Sequence, residues 1–114
     1  MMERRFESRF LCADLVRVDW SAGVNARTLE AVLEDISAVG ACVQVEERIR
    51  PGTEISIAVD HGPGKFTRLS GEVSYCVFRD YGYFVGIRFS DETRWSSRIF
   101  EPRHLTNLQT LLAI

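Results

Sequence analysis

Arg5 and Arg9 stand four residues apart in Arg5-Phe6-Glu7-Ser8-Arg9, near the start of a 114-residue chain. A guanidinium presents paired donors that match two phosphate oxygens or the two acceptors on a guanine edge, and its plane can stack on a base. Further along, Asp35-Ile36-Ser37-Ala38-Val39-Gly40 sets a carboxylate, a hydroxyl and a glycine within six residues. The carboxylate accepts hydrogen bonds and the hydroxyl can donate or accept. The glycine either takes a backbone angle closed to other residues or admits a close approach. Taken singly, each half reads blandly, the first as a solvated basic arm and the second as a loop that caps its own backbone. Their joint occurrence is what points to a ligand.

Other candidate chemistry is thinner. His61-Gly62-Pro63-Gly64-Lys65 lacks the spacing of a phosphate loop and reads as a turn. Ser37 with His61 or His104 has no nucleophile elbow around it, so no catalytic role is expected. Cys12, Cys42 and Cys76 lack metal-ligand spacing. An odd number of cysteines of this kind suggests reduced thiols in a cytoplasmic protein, with Cys42 and Cys76 as small buried hydrophobes. No metal site and no cofactor are expected.

The elements that must position these residues fit one domain over residues 1–114. Hydrophobic residues make up 46% and charged residues 26%, an ordinary globular balance with material for one modest core. Sixteen acidic residues against 14 basic give a net charge of −2, so no global basic field draws the chain to DNA, RNA or an anionic membrane. No apolar run approaches the ~20 residues of a membrane span. The start, Met-Met-Glu-Arg-Arg, is not followed by the apolar stretch of a secretory signal. Thirteen of the basic residues are arginine, and Arg4, Arg5 and Arg9 fall within six positions of one another.

Residues 1–10 form a polar, arginine-rich arm, 11–89 a barrel and 90–114 a helical tail. Val16, Val18 and Trp20 alternate with Arg17 and Asp19 as a half-buried strand does. Over Thr28–Ile36, Leu29, Ala31 and Leu33 form the better core face, while Glu30, Val32, Glu34 and Ile36 share the other; helix propensity competes here. Further strands are expected at Ala41–Glu47, Ile55–Val59, Phe66–Phe78 with a bend or bulge at Gly71, and Tyr83–Phe89. Six strands with short turns predict an all-β fold, a six-stranded antiparallel β-barrel. After it, Trp95, Ile99 and Phe100 fit a short helix capped by Ser90 or Asp91 and interrupted at Pro102. His104–Ile114 then carries Leu105, Leu108, Leu111 and Leu112 at helical spacing. That tail packs on its own barrel or on a second subunit, leaving a homodimer open.

RxxxR followed by DxSxxG, in this order and with the second motif between two strands, resembles the PilZ family of bacterial cyclic di-GMP receptors. Pro51-Gly52-Thr53-Glu54 and Val85-Gly86-Ile87-Arg88-Phe89 extend the resemblance along nearly the whole chain. It implies that Arg5 and Arg9 hold guanine and phosphate, and that Asp35, Ser37 and Gly40 hold the other guanine edge. The basic residue before the first motif arginine, Arg4, implies an intercalated ligand dimer and two cyclic di-GMP per chain. The implied function is a non-catalytic receptor that signals to an output protein. Two alternatives stand beside it. One is a divergent PilZ-like adaptor that binds no nucleotide; the other is a small nucleic-acid binder using Phe78, Tyr81, Tyr83 and Phe84 as a stacking surface.

Overall fold

A computed structural model describes residues 9–80 and 82–102, together with the backbone at 106–107. The strands are β1 (Phe10–Ala22), β2 (Asn25–Ile36), β3 (Gly40–Val45), β4 (Glu54–Gly62), β5 (Lys65–Arg79), β6 (Gly82–Phe89) and the two-residue β7 (Thr106–Asn107). Every pairing is antiparallel, in the order β2-β3-β6-β5-β4-β1, and β1 returns to pair with β2. The six long strands therefore form one closed sheet. The helix–strand competition at Thr28–Ile36 resolves as strand because β1 and β3 flank it on both sides.

Closure gives the alternating side chains an inside. Val18, Leu33, Ile36, Ile57, Val43 and Val85 are fully buried there, and Trp20 and Trp95 join them. Fully burying one such side chain stabilises the fold by about 1.5–3 kcal/mol. Ile36 departs from the simple alternation. A register shift between Leu33 and Asp35 inserts one extra residue, Glu34, into β2, and this bulge turns Ile36 inward and Asp35 outward.

Three expectations need correction. The irregularity in β5 lies between Val73 and Tyr75, not at Gly71; Gly71 instead lies so close to the Arg88 carbonyl of β6 that a side chain would collide with it. Residues 90–102 contain no helix. Turns at Ser90–Thr93 and Ser96–Ile99 replace it, each closed by a single backbone hydrogen bond, because Trp95 and Phe100 are both drawn into the core and cannot also sustain a helical ladder. Within the expected tail helix, Thr106–Asn107 pairs as a strand with Phe10–Leu11. Of the remaining tail, His104, Leu105, Leu108, Leu111 and Leu112 lie outside the described residues. No helix among the described residues is long and apolar enough to cross a membrane.

The bulge in β2 makes a test of register. Ile36→Ala is expected to cost about 2–5 kcal/mol of stability, whereas Val32→Ala, on the outward face, should cost under about 1 kcal/mol. Urea unfolding of both variants reads the difference, and equal costs would contradict the bulge.

Candidate functional site

The bulge that buries Ile36 also presents Asp35 on the outer face, where Arg9 meets it. Arg9 Nη2 donates to Asp35 Oδ1 at 2.6 Å, joining the last residue of the first motif to the first residue of the second. The guanidinium is about half exposed (48%) and the carboxylate largely covered (19%). Burial pushes the Asp35 carboxyl above its ordinary value, against the opposing pull of Arg9. Glu34, beside it on the same bulge, is raised by burial and then by the Asp35 charge.

Ser37 is buried, and its hydroxyl serves its own loop. It donates to the Gly40 carbonyl at 3.4 Å and accepts from the Val39 N–H at 3.3 Å, while the Ser37 N–H donates to the same carbonyl at 2.8 Å. The loop is tied down further by Phe89 and Trp95, whose amides donate to the carbonyls of Val39 and Ala38. Gly40 has its own reason to be glycine. Its φ is not left-handed, but a Cβ there would lie 2.6 Å from the Ile87 carbonyl oxygen of β6. Arg4 and Arg5 lie outside the described residues.

Sequence reasoning did not reach the floor of this site. Asp35 faces Cys42 on β3, Cys42 faces Gly86 on β6, and Gly86 faces Tyr75 on β5. The Tyr75 ring lies across Gly86 so closely that any side chain at position 86 would collide with it. Burial, and after it the neighbouring Cys42, pushes the Tyr75 phenol up to about 12. Burial also raises the Cys42 thiol, so it stays protonated beneath the ring. Tyr75 remains 44% exposed, an aromatic face on the same outer surface as Asp35. It is carried there by the second bulge, whose Ser74 hydroxyl donates to the Gly86 carbonyl at 3.1 Å. A glycine facing an aromatic across two strands was the available signal, but it needs the register to be seen.

A family model, the PilZ domain, matches residues 3–99. The chain belongs to the PilZ domain family. Among solved structures, it is similar to the PilZ domain with cyclic di-GMP of YcgR from Escherichia coli, at a TM-score of 0.63 and 17% identity over 80% of this chain and 81% of that one. That likeness is one of fold. A comparison with curated proteins finds no match. PilZ domains are a non-catalytic receptor family. Among the described residues, no cluster of His, Cys, Asp or Glu is arranged to hold a metal ion.

Among the described residues, the alternative stacking set is split between the two faces of the sheet. Phe78 and Tyr83 face one another and pack edge to face at 5.1 Å between centroids, with Tyr83 against the core. Phe84 points to the opposite face beneath Arg79, and Tyr81 lies outside the described residues.

The raised value of Asp35 carries a pH signature. An ionised carboxylate held above its ordinary value costs the folded state stability at neutral pH, and that cost disappears as pH falls below the ordinary 3.8. Asp35→Asn is therefore expected to raise the urea midpoint at pH 7, with the gain gone below pH 3.8. An unchanged or lower midpoint at pH 7 would contradict the desolvation of this group.

Proposed function

We propose that this PilZ domain is a cyclic di-GMP receptor whose N-terminal arm closes over the nucleotide and presents a changed surface to an output protein in the cytoplasm. The observation that carries the reading is the Arg9–Asp35 pair, in which the last residue of the first motif meets the first residue of the second on an open face. Cyclic di-GMP has two phosphodiester charges and two guanines. The Arg9 fork suits phosphate oxygens or the O6 and N7 acceptors of guanine, and Asp35 suits the N1 and N2 donors of a guanine. On binding, each member of the ion pair exchanges its partner for a ligand group with the same hydrogen-bonding role, donor for donor and acceptor for acceptor, so neither is left buried and unpaired. Ser37 and Gly40 keep the loop in the shape that holds Asp35 out. Tyr75 supplies an aromatic face for a base.

The arm would supply Arg5 for the second guanine or phosphate, and Arg4 would favour an intercalated ligand dimer. Closure of the arm over the bound nucleotide is then the change of surface that the output protein reads. A nucleotide-free adaptor has no need of Arg9 and Asp35 in contact on an exposed face, or of a carboxylate held at a cost to stability.

Isothermal titration of cyclic di-GMP tests the reading. Micromolar or tighter binding is expected for the unmodified chain, with loss in Arg9→Ala. Folded protein that gives no heat would leave the adaptor as the better account. The stoichiometry is expected near two ligands per chain, and a value near one would remove the role given to Arg4. Tyr75→Ala should weaken binding about tenfold or more, given about 1–3 kcal/mol for a stacked base; unchanged affinity would take Tyr75 out of the site.

A further inference from the structure

We infer that Trp95 holds the two halves of the nucleotide site in register, and that residues 90–102 are thereby coupled to ligand occupancy. The inference rests on the cyclic di-GMP reading above. Trp95 is 4% exposed and touches the second motif and the residue that follows the first. Its amide N–H donates at 3.1 Å to the carbonyl of Ala38, the residue after Ser37. Its ring meets that of Phe10, the residue after Arg9, edge to face with centroids 5.7 Å apart.

The same side chain organises the segment that follows β6. The indole Nε1 donates to the Phe100 carbonyl at 3.1 Å, and the two rings pack at 6.0 Å. Phe100 in turn lies against His61, whose Nε2 is 2.8 Å from the Thr67 hydroxyl on β5. Phe10 and Leu11 also pair with Thr106–Asn107, so the backbone next to Arg9 carries a second connection to the C-terminal part of the chain.

Closing Arg9 over a ligand pulls on Phe10 from one side, and filling the site beside Asp35 loads the loop that ends at Ala38 and Val39 from the other. Trp95 is a buried residue in contact with both, beside Ile36, which pairs directly with Phe10. A close-packed interior passes such a displacement on instead of absorbing it. The exposed side chains of Arg94, Arg98 and Ile99 then change position relative to the sheet, which is a difference a partner can read. The coupling is reciprocal: a partner that fixes residues 90–102 in their ligand-bound arrangement raises nucleotide affinity by the same factor.

Trp20→Phe leaves Trp95 as the sole tryptophan of the full chain. Titration with cyclic di-GMP is expected to change its emission with the midpoint that calorimetry gives, although the buried indole does not touch the base. Unchanged emission through a calorimetrically complete titration would overturn the inference while leaving the receptor reading intact. Should Trp20→Phe fail to fold, hydrogen exchange on the unmodified chain decides. The amides of Trp95 and Ile99 are expected to slow at least about fivefold at saturation, and equal exchange overturns the coupling. Phe10→Leu keeps an apolar side chain but removes the ring edge, and should lower affinity and the Trp95 response together. Unaltered affinity in that variant would deny Trp95 its positioning role. Absence of calorimetric binding to the unmodified chain would remove the receptor reading, and the inference with it.

Discussion

Strand β1 pairs with β2 along its length but with β4 only at Arg17–Trp20, so one strand both closes the sheet and departs from it toward its N-terminal end. That departure opens the sheet beside Phe10, and the aromatic residues Trp95 and Phe100 are packed into the core there. It also carries Arg9 out over the end of β2, where Asp35 waits. Closure without departure would leave a sealed core with its N-terminal arm pointing into solvent. Departure without closure would expose the alternating faces of every strand.

Three of the four irregularities of pairing gather around Asp35; the fourth lies at the β4–β5 turn, between Asp60 and Gly62. Register shifts lie between Leu11 and Asp14 on β1, between Leu33 and Asp35 on β2, and between Val73 and Tyr75 on β5. A bulge moves the residues after it to the opposite face, at the cost of a break in the ladder. Here β2 uses that reversal to turn a carboxylate outward while keeping Ile36 in the core, and β5 uses it to turn an aromatic outward while keeping Val73 in the core. Glycine at position 86 then lets the aromatic lie flat across β6 and reach Cys42. The site floor is built by local departures from regular alternation on a sheet whose one other register shift among the described residues lies at the β4–β5 turn.

This explains what the sequence made legible. Val16, Val18, Trp20, Ile55, Ile57 and Val59 alternate cleanly, and each is buried. Six strands and their closure follow from such runs, and the two motifs follow from residue type and spacing. A bulge is invisible to alternation because it is a fault in alternation; reading straight through Glu34 assigns Ile36 to the wrong face. Tyr75 was equally hidden, since its partner Gly86 lies across a strand pairing that no local pattern records. The helical expectation for Trp95, Ile99 and Phe100 failed for a related reason. Their spacing is apolar at intervals of four and one, but the burial is set by an opening in the sheet instead of by a helix face.

The motif residues divide between those that build and those that are left over after building. Gly40 is required by its approach to the Ile87 carbonyl, and the Ser37 hydroxyl is committed to its own loop. Either would be kept by a fold that bound nothing. Asp35 is different, because burial works against its charge, and its hydrogen-bonding partner is an arginine half exposed to solvent. An exposed pair of that kind returns little stability, about 0–1 kcal/mol, and does not offset the burial of the carboxylate, since the net displacement of its pKa remains upward. A chain shaped by stability alone gains by replacing Asp35 with a neutral residue and releasing Arg9 to solvent. Of the motif residues described, Asp35 is thus the one whose place the stability of the fold does not explain.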